Sequence, residues 1–360
     1  MIIYLIPLFL LLLLSYLENK VDYPLFIKNK YFYLLIFSFF IFFIGFRFQI
    51  GCDWDSYNNN FDLVSSSSWE KFTINRTARF YDIGYSIISK LVSYKFDFIF
   101  FVFIISSLFT IPLFLFCYQL KRVYLSLLIS YPYFIIVVGM GPLRQSAAIG
   151  LFMLSLILLF KKKSTFFYLS SILSVLLHAS AIIFTSLAFI NFKNFTLKKN
   201  KNIFILIFIF LIVLTICLNF DWVYSKINFY FLNYDGISKA KSAIFIWLIN
   251  FIPMAIYITN ISKFNFESII HKVCIFFFSY EIFFLFVLLI NNIIAYRFLL
   301  YSFPISIYIT SQLPDVNIFK VKSNYITYSL MSLSIISLTF WMKYANHSYC
   351  WLPYQNVFFN

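Results

Sequence analysis

The 360-residue chain has a formal net charge of +15, yet only 11% of its residues are charged while 62% are hydrophobic and 24% aromatic, and its mean hydropathy is +0.88. Soluble domains carry roughly 25% charged residues, so a soluble globular fold is excluded, and the continuous rather than alternating apolar runs argue against a membrane β-barrel. The positive balance is mostly lysine in short stretches between apolar runs, where it sets topology; it is not the footprint of a nucleic-acid binder.

In chain order, Ile2 to Leu17 lacks a basic leading region and a small-residue cleavage site, and reads as a retained first span. Lys20, Lys28 and Lys30 place the next loop inside, and Tyr31 to Phe48 returns to the outer face. Gln49 to Lys95 is the longest polar stretch. Within it Tyr81 to Ser89 is amphipathic and suits a short interfacial helix. Asp97 to Cys117, with Pro112 expected to kink it, runs inward to Lys121 and Arg122. Val123 to Met140 goes out, Gly139-Met140-Gly141-Pro142 turns tightly at the outer face, and Leu143 to Phe160 returns to Lys161, Lys162 and Lys163.

Thr165 to Ile190 admits one long kinked helix or two short segments, Thr165 to Leu177 and Ser180 to Ile190, joined near His178. The second reading keeps Lys193, Lys198, Lys199 and Lys201 inside and carries His178 to the outer half. Non-helical backbone is tolerated at such a joint where it lines a cavity. Ile203 to Leu218 then goes out, and Asn219 to Ser242 forms a second outer loop containing Trp222. Ala243 to Asn260 comes in, His271 to Ile290 goes out, Ile293 to Ser311 returns, and Tyr325 to Met342 leaves Asn346 to Asn360 outside. The expected fold is all-α: a polytopic transmembrane helical bundle of about twelve segments, two of them short, judged against the ~20 residues that cross a bilayer. It reads as one integral membrane domain over 1–360 with outer loops 49–95 and 219–242.

The five cysteines are scattered and form no CxxC, so neither a metal site nor a disulfide framework is suggested. Cys52 and Cys350 both fall outside and could bridge. Arg47, Arg144 and Arg297 all sit at the outer ends of membrane segments. Each could snorkel independently to the interface, but the fixed guanidinium fork also suits bidentate phosphate binding. With His178 and Asp53 nearby, the three arginines suit a lipid diphosphate whose head lies at that interface. Glu281, inside an apolar run, is costly as an ion and is either a proton-relay group or a carboxyl held neutral or bonded by a neighbouring helix. Trp54, Trp69 and Trp222 could stack on sugar rings or anchor at the interface.

These residues carry a resemblance. Arg47, Gly51, Asp53 and Tyr57 match an Arg-x(3)-Gly-x-Asp-x(3)-Tyr signature that resembles the EpsG-like family, grouped with the Wzy-type polysaccharide polymerases. Gly84-Tyr85 resembles a further part of that pattern. Pro142 to Ala148 resembles its Arg-Gln-x-Ala segment through Arg144 and Gln145, and Leu177 to Ala181 its His-x-Ser-Ala segment. Arg297 with Tyr296 and Tyr301 resembles its arginine-tyrosine segment. Trp54 departs from the tyrosine that many relatives carry after the aspartate.

The resemblance implies a GT-C-like membrane glycosyltransferase of the bacterial inner (cell) membrane, acting on its periplasmic or extracellular face. It would join repeat units carried on undecaprenyl diphosphate into O-antigen, capsule or exopolysaccharide. It implies Arg144 and Arg297 as diphosphate ligands and Arg47 as a contact of either the diphosphate or the acceptor, with Gln145, Tyr57 and Tyr301 as further substrate contacts. His178 or Asp53 would act on the acceptor hydroxyl. No cofactor or metal is expected, the lipid bilayer is the surrounding partner, and a chain-length regulator is implied as a protein partner. An O-antigen ligase uses the same donor and stays open. A transporter or flippase of the lipid-linked sugar would need internal repeats and polar groups at mid-bilayer, and a membrane acyltransferase an inner acyl-donor route; neither is visible.

Overall fold

The structure is a computed structural model that describes residues 1–20, 29–69, 83–187, 241–316, 318 and 321–359. The expected span Ile203 to Leu218, and nearly all of the outer loop Asn219 to Ser242 with its Trp222, lie outside the described residues. The described chain is helical, with no strand among the described residues. Among the described residues six helices are long and apolar enough to cross a membrane, each of at least the ~18 residues that a ~30 Å hydrocarbon core requires. Shorter apolar helices add to them.

The chain divides into two compact units. The first contains residues 1–154, 176–178 and 307–360. Its helices are α1 (Ile2–Glu18), α2 (Lys30–Gly45), α3 (Trp54–Ser66), α4 (Ile83–Val92), α5 (Phe98–Tyr118), α6 (Val123–Ser130), most of α7 (Leu143–Phe160), and α13 (Ser323–Tyr344). A π-helical turn, Tyr131–Val138, continues α6. Helix starts follow local chemistry: Asn29 accepts from the Tyr31 amide at 2.9 Å and Asp97 from the Phe100 amide at 3.0 Å, satisfying first-turn amides that have no partner within the helix. α1 packs on α6, α2 on α5, and α13 on α6 and the π turn.

One end of this unit is tied by a polar node. Arg122 donates to Asp315 at 2.7 Å, to Asn19 at 2.8 Å and to Ser323 at 3.0 Å. The Glu18 carboxylate accepts from the amides of Tyr124 and Leu125, at 3.1 and 3.0 Å for its closer oxygen. An acid from α1 thus caps the positive start of α6. Charged hydrogen bonds of this kind contribute about 2 kcal/mol each when a partner is lost. Arg122→Ala is therefore expected to lower the melting temperature of the detergent-solubilised protein by several degrees, whereas Lys121→Ala, whose ammonium is largely exposed, should leave it nearly unchanged.

The second unit contains residues 155–175 and 179–306. It holds α8 (Ser164–Leu177) up to residue 175, a 3₁₀ segment Ala179–Ser186, α9 (Lys241–Thr259), α10 (Ser268–Ile290) and α11 (Asn292–Leu299), and it closes in the first residues of α12 (Phe303–Gln312). α9 packs on both α10 and α11. Asn291 opens α11 by accepting from the amides of Ile293 and Ile294 at 3.1 and 3.0 Å, which sets the turn between α10 and α11. The helix before His178 ends at Leu177 and the chain changes to 3₁₀ geometry at Ala179, so the region is broken at His178 rather than one continuous helix.

Candidate functional site

In the first unit the polar stretch after α2 is partly helical. Trp54, Tyr57, Phe61 and Val64 recur at helical spacing and are the buried residues of α3, so a polar segment carries one apolar stripe. α4 closes against it. The Lys90 ammonium donates to the carbonyls of Val64 and Ser65 at 3.0 Å each, and also to that of Ser67. It thereby satisfies the open carbonyls at the end of α3 with a cation.

The stripe packs with Tyr85 of α4, Phe98, Phe101 and Ile105 of α5, Leu143, Ala147 and Ala148 of α7, and Leu177 in one buried cluster. Trp54 meets Phe98 edge-on at 5.1 Å, and Tyr85 meets Phe101 at 5.1 Å. Gly84 is needed at the edge of this cluster, since a Cβ there would lie 3.0 Å from the Leu176 carbonyl. That approach fixes α4 against the segment that ends in His178.

Arg144 lies on this platform in the first turn of α7. Its guanidinium carbon is 5.7 Å from the Tyr57 ring centre and 5.9 Å from that of Tyr85, and the two rings are 6.2 Å apart. Two aromatic faces therefore hold one cation, a contact worth about 0.5–2 kcal/mol per ring depending on desolvation. Tyr57 and Tyr85 are buried, while Arg144 is half-buried. Gln145, the next residue, is only 4% exposed. Asp53 precedes the buried Trp54 and is exposed, and His178 follows the buried Leu177 and is half-buried. Both therefore stand at the rim of the cluster on which Arg144 rests.

Arg47 does not reach the surface. It is 1% exposed and points inward, so the snorkelling reading does not describe it. Its Nη1 donates to the Ile44 carbonyl at 2.6 Å and to Ser106 Oγ at 2.7 Å. Its Nε has no hydrogen-bond partner and no carboxylate pairs with it among the described residues. The phenols of Tyr4, Tyr57, Tyr85 and Tyr354 lie around it. Tyr57 and Tyr85 are thus shared by Arg47 and Arg144. Burial raises the Tyr354 hydroxyl above its usual pKa, against the lowering influence of its bond with Asn356 and of the Arg47 charge.

The segment after α13, expected from the sequence only as an outer tail, pairs with the extended stretch around Arg47. Arg47 and Asn356 form an antiparallel bridge, the Phe48 amide donates to the Gln355 carbonyl at 3.0 Å, and the Gly51 amide donates to the Cys350 carbonyl at 2.9 Å. Cys52 and Cys350 form a disulfide, the one pairing left open by the sequence. Gly51 has φ of +101°, a conformation that glycine adopts without steric cost, and a Cβ there would lie 3.0 Å from the Met140 carbonyl. The glycine of the Arg-x(3)-Gly signature is explained by these two facts.

The second unit is built separately around Tyr301. This residue is fully buried, its hydroxyl is 3.0 Å from Ser180 Oγ, and its ring stacks on Phe184 at 4.7 Å. The serine of the His-x-Ser segment and the tyrosine of the arginine-tyrosine segment therefore meet. Arg297 is exposed on α11. Glu281 is fully buried within α10.

The geometry agrees with what the chain resembles. The model of the EpsG family matches residues 30–356, from the start of α2 to the residue that bridges Arg47. No curated protein and no solved structure matches the chain. The match spans every motif assembled above, and the chain belongs to the EpsG family, which is associated with polysaccharide polymerases.

Proposed function

We propose that the chain joins lipid-diphosphate-linked oligosaccharide repeat units into a longer polysaccharide on the outer face of the bacterial cell membrane. The observation that carries this reading is the Arg144 guanidinium, held between Tyr57 and Tyr85 in the first turn of α7. An arginine fork in the first turn of an 18-residue helix, the positive end of the helix dipole, favours an oxyanion. Arg47, buried beneath the same tyrosines without a carboxylate partner among the described residues, adds positive potential below it. The Cys52–Cys350 disulfide supports an outward location for this end of the unit, because disulfides persist in oxidising compartments.

In the reaction, an acceptor sugar hydroxyl attacks the anomeric carbon of the donor. The bond from that carbon to the diphosphate oxygen breaks, and the lipid diphosphate leaves with the electron pair. Arg144 binds the diphosphate and stabilises the charge that builds on it. The hydroxyl proton passes to a base, and Asp53 and His178, at the rim of the cluster, are the two candidates. Undecaprenyl diphosphate is the lipid that the family resemblance implies. That resemblance alone assigns Arg297, Gln145 and Tyr301 to substrate, and a chain-length regulator as partner. The fully buried Tyr301 would act through Ser180 rather than by direct contact.

The test is a surface-glycan ladder from cells lacking their own copy of the protein. Restoring the wild-type chain is expected to convert single repeat units on the acceptor into a ladder. Cells that keep single units while the protein is present in the membrane would refute the reading. The two tyrosines offer a finer check. Tyr85→Phe keeps the ring beneath Arg144 and should retain most polymer formation. Tyr85→Leu removes one cation–π face, worth roughly 1–2 kcal/mol, and should lower the polymerisation rate roughly tenfold. Equal rates for the two variants would show that the ring does not orient Arg144.

A further inference from the structure

The segment after α13 is bonded to the stretch from Phe46 to Asp53 more closely than a loose outer tail would be. Besides the bridge at Asn356 and the two backbone bonds to Phe48 and Gly51, the Val357 amide donates to the Phe46 carbonyl at 3.0 Å. The segment is itself fastened to the helices behind. The Trp351 indole donates to the Ile136 carbonyl in the π-helical turn at 3.0 Å. The Trp351 carbonyl accepts from the Tyr4 hydroxyl at 2.8 Å, and the Tyr354 hydroxyl donates to the Phe43 carbonyl at 2.7 Å. Trp351 is buried and also packs against Gly141, where a Cβ would lie 3.1 Å from the indole. Gly141 stands two residues before Leu143 and three before Arg144. One short segment therefore touches both stretches of the candidate site, the one that leads into Asp53 and the one that leads into Arg144.

We infer that residues 347–357 are a positioning element of the active site, with the Cys52–Cys350 disulfide as its clamp and Trp351 as its anchor. None of these three residues touches substrate in this assignment. They act through the stretch that carries Arg47 and Asp53. Cys52 is next to Asp53 in the chain, so opening the disulfide releases Asp53 from a fixed point on the π-turn side of the unit. α3, by contrast, stays held by its own apolar stripe and by Lys90. Reduction should therefore loosen a rim residue without unfolding the platform beneath Arg144. Among the described residues the remaining cysteines, Cys117 and Cys274, are free and buried, which makes the disulfide the bond on which a mild reductant would act. The catalytic consequence rests on the polymerase reading. The mechanical one does not.

The experiment uses the full chain in nanodiscs, as wild type, as the double variant Cys52→Ser/Cys350→Ser, and as Trp351→Phe. Two readouts are taken with and without dithiothreitol: hydrogen exchange of peptides covering residues 46–52, and elongation of purified lipid-linked repeat unit at saturating and limiting concentrations. The expected result is faster exchange at residues 46–52 in reduced wild type and in the double variant, with α5 and α7 unchanged. The saturating elongation rate should fall roughly tenfold with little change in KM, the unchanged exchange of α5 and α7 excludes loss of folded protein as the cause, and the double variant should not respond to reductant. Trp351→Phe, which keeps an aromatic ring but loses the larger indole and its hydrogen bond, should fall between. Unchanged exchange at 46–52 after the disulfide is opened overturns the inference, as does equal elongation by oxidised wild type and the double variant. If wild type elongates nothing, the polymerase reading fails and the exchange arm alone decides whether the segment positions residues 46–52.

Discussion

Arg144→Ala is expected to reduce polymer formation roughly 100- to 1000-fold, the cost typical of removing one preorganised group that stabilises a developing oxyanion, while the protein reaches the membrane in normal amount. The separation of effects follows from the geometry. Arg144 is half-buried and rests on Tyr57 and Tyr85. The cluster beneath it, from Trp54 to Leu177, packs without it. Removing the side chain forfeits two cation–π contacts, of the order of 1 kcal/mol each, and leaves the core filled. Arg144→Lys should recover only part of the activity, because a lysine ammonium offers a point charge in place of a planar fork and stacks less well on two rings. The checks are a glycan ladder beside an immunoblot of the membrane fraction, and a melting curve of the solubilised variant. A normal ladder from Arg144→Ala would remove this residue from the reaction.

Gly150→Ala is expected to be the most damaging of the small substitutions to the fold. At Gly150 a Cβ would lie 2.0 Å from the Leu108 carbonyl oxygen, 2.7 Å from the Phe109 Cα and 2.8 Å from the Leu108 carbonyl carbon. All three are backbone atoms, so no rotamer change relieves them, and α5 and α7 must separate along their crossing. Small residues permit such close approaches between membrane helices, and overpacking costs about 1–3 kcal/mol or more where the neighbour cannot yield. Gly45→Ala is the informative control. Its Cβ would lie 2.7 Å from the Phe103 ring edge, and a side chain can turn aside. Gly150→Ala should run as aggregate on fluorescence-detected size exclusion or melt many degrees lower, with Gly45→Ala close to wild type. Equal behaviour would mean that α5 and α7 do not cross at Gly150.

Much of this fold was legible because lipid imposes local rules. Continuous apolar runs bounded by lysines gave helices at Phe98–Tyr118, Leu143–Phe160 and Ser323–Tyr344 close to the expected limits. The break at His178 was readable because a single helix through it would carry the following lysines, Lys193 to Lys201, to the outer face against the positive-inside tendency. α3 was overlooked because its polar face dominates the composition. The signal was present in the spacing of Trp54, Tyr57, Phe61 and Val64, which a search for spans passes over.

Other features could not be read locally. The direction of Arg47 is settled by Ser106, 59 residues away, and by tyrosines from four other segments. The role of the segment after α13 depends on a disulfide across 298 residues and on an indole bond across 215. Family motifs pointed to Arg47, Gly51 and Tyr57 without giving their physical reasons. Those reasons are inward hydrogen bonding, a positive φ and a seat for Arg144, and each needed the folded chain.

The most direct test of the central claim is elongation by the purified protein in proteoliposomes supplied with one substrate, the lipid-diphosphate-linked repeat unit. Glycan length on the lipid and released lipid diphosphate are both measured by mass spectrometry. The polymerase reading predicts products of two, three and more repeat units, with one lipid diphosphate released per linkage formed, and their loss in Arg144→Ala. No elongation while the lipid-linked unit crosses the bilayer would indicate a transporter. Transfer only after a different acceptor is added would indicate a ligase. Either result would contradict the account.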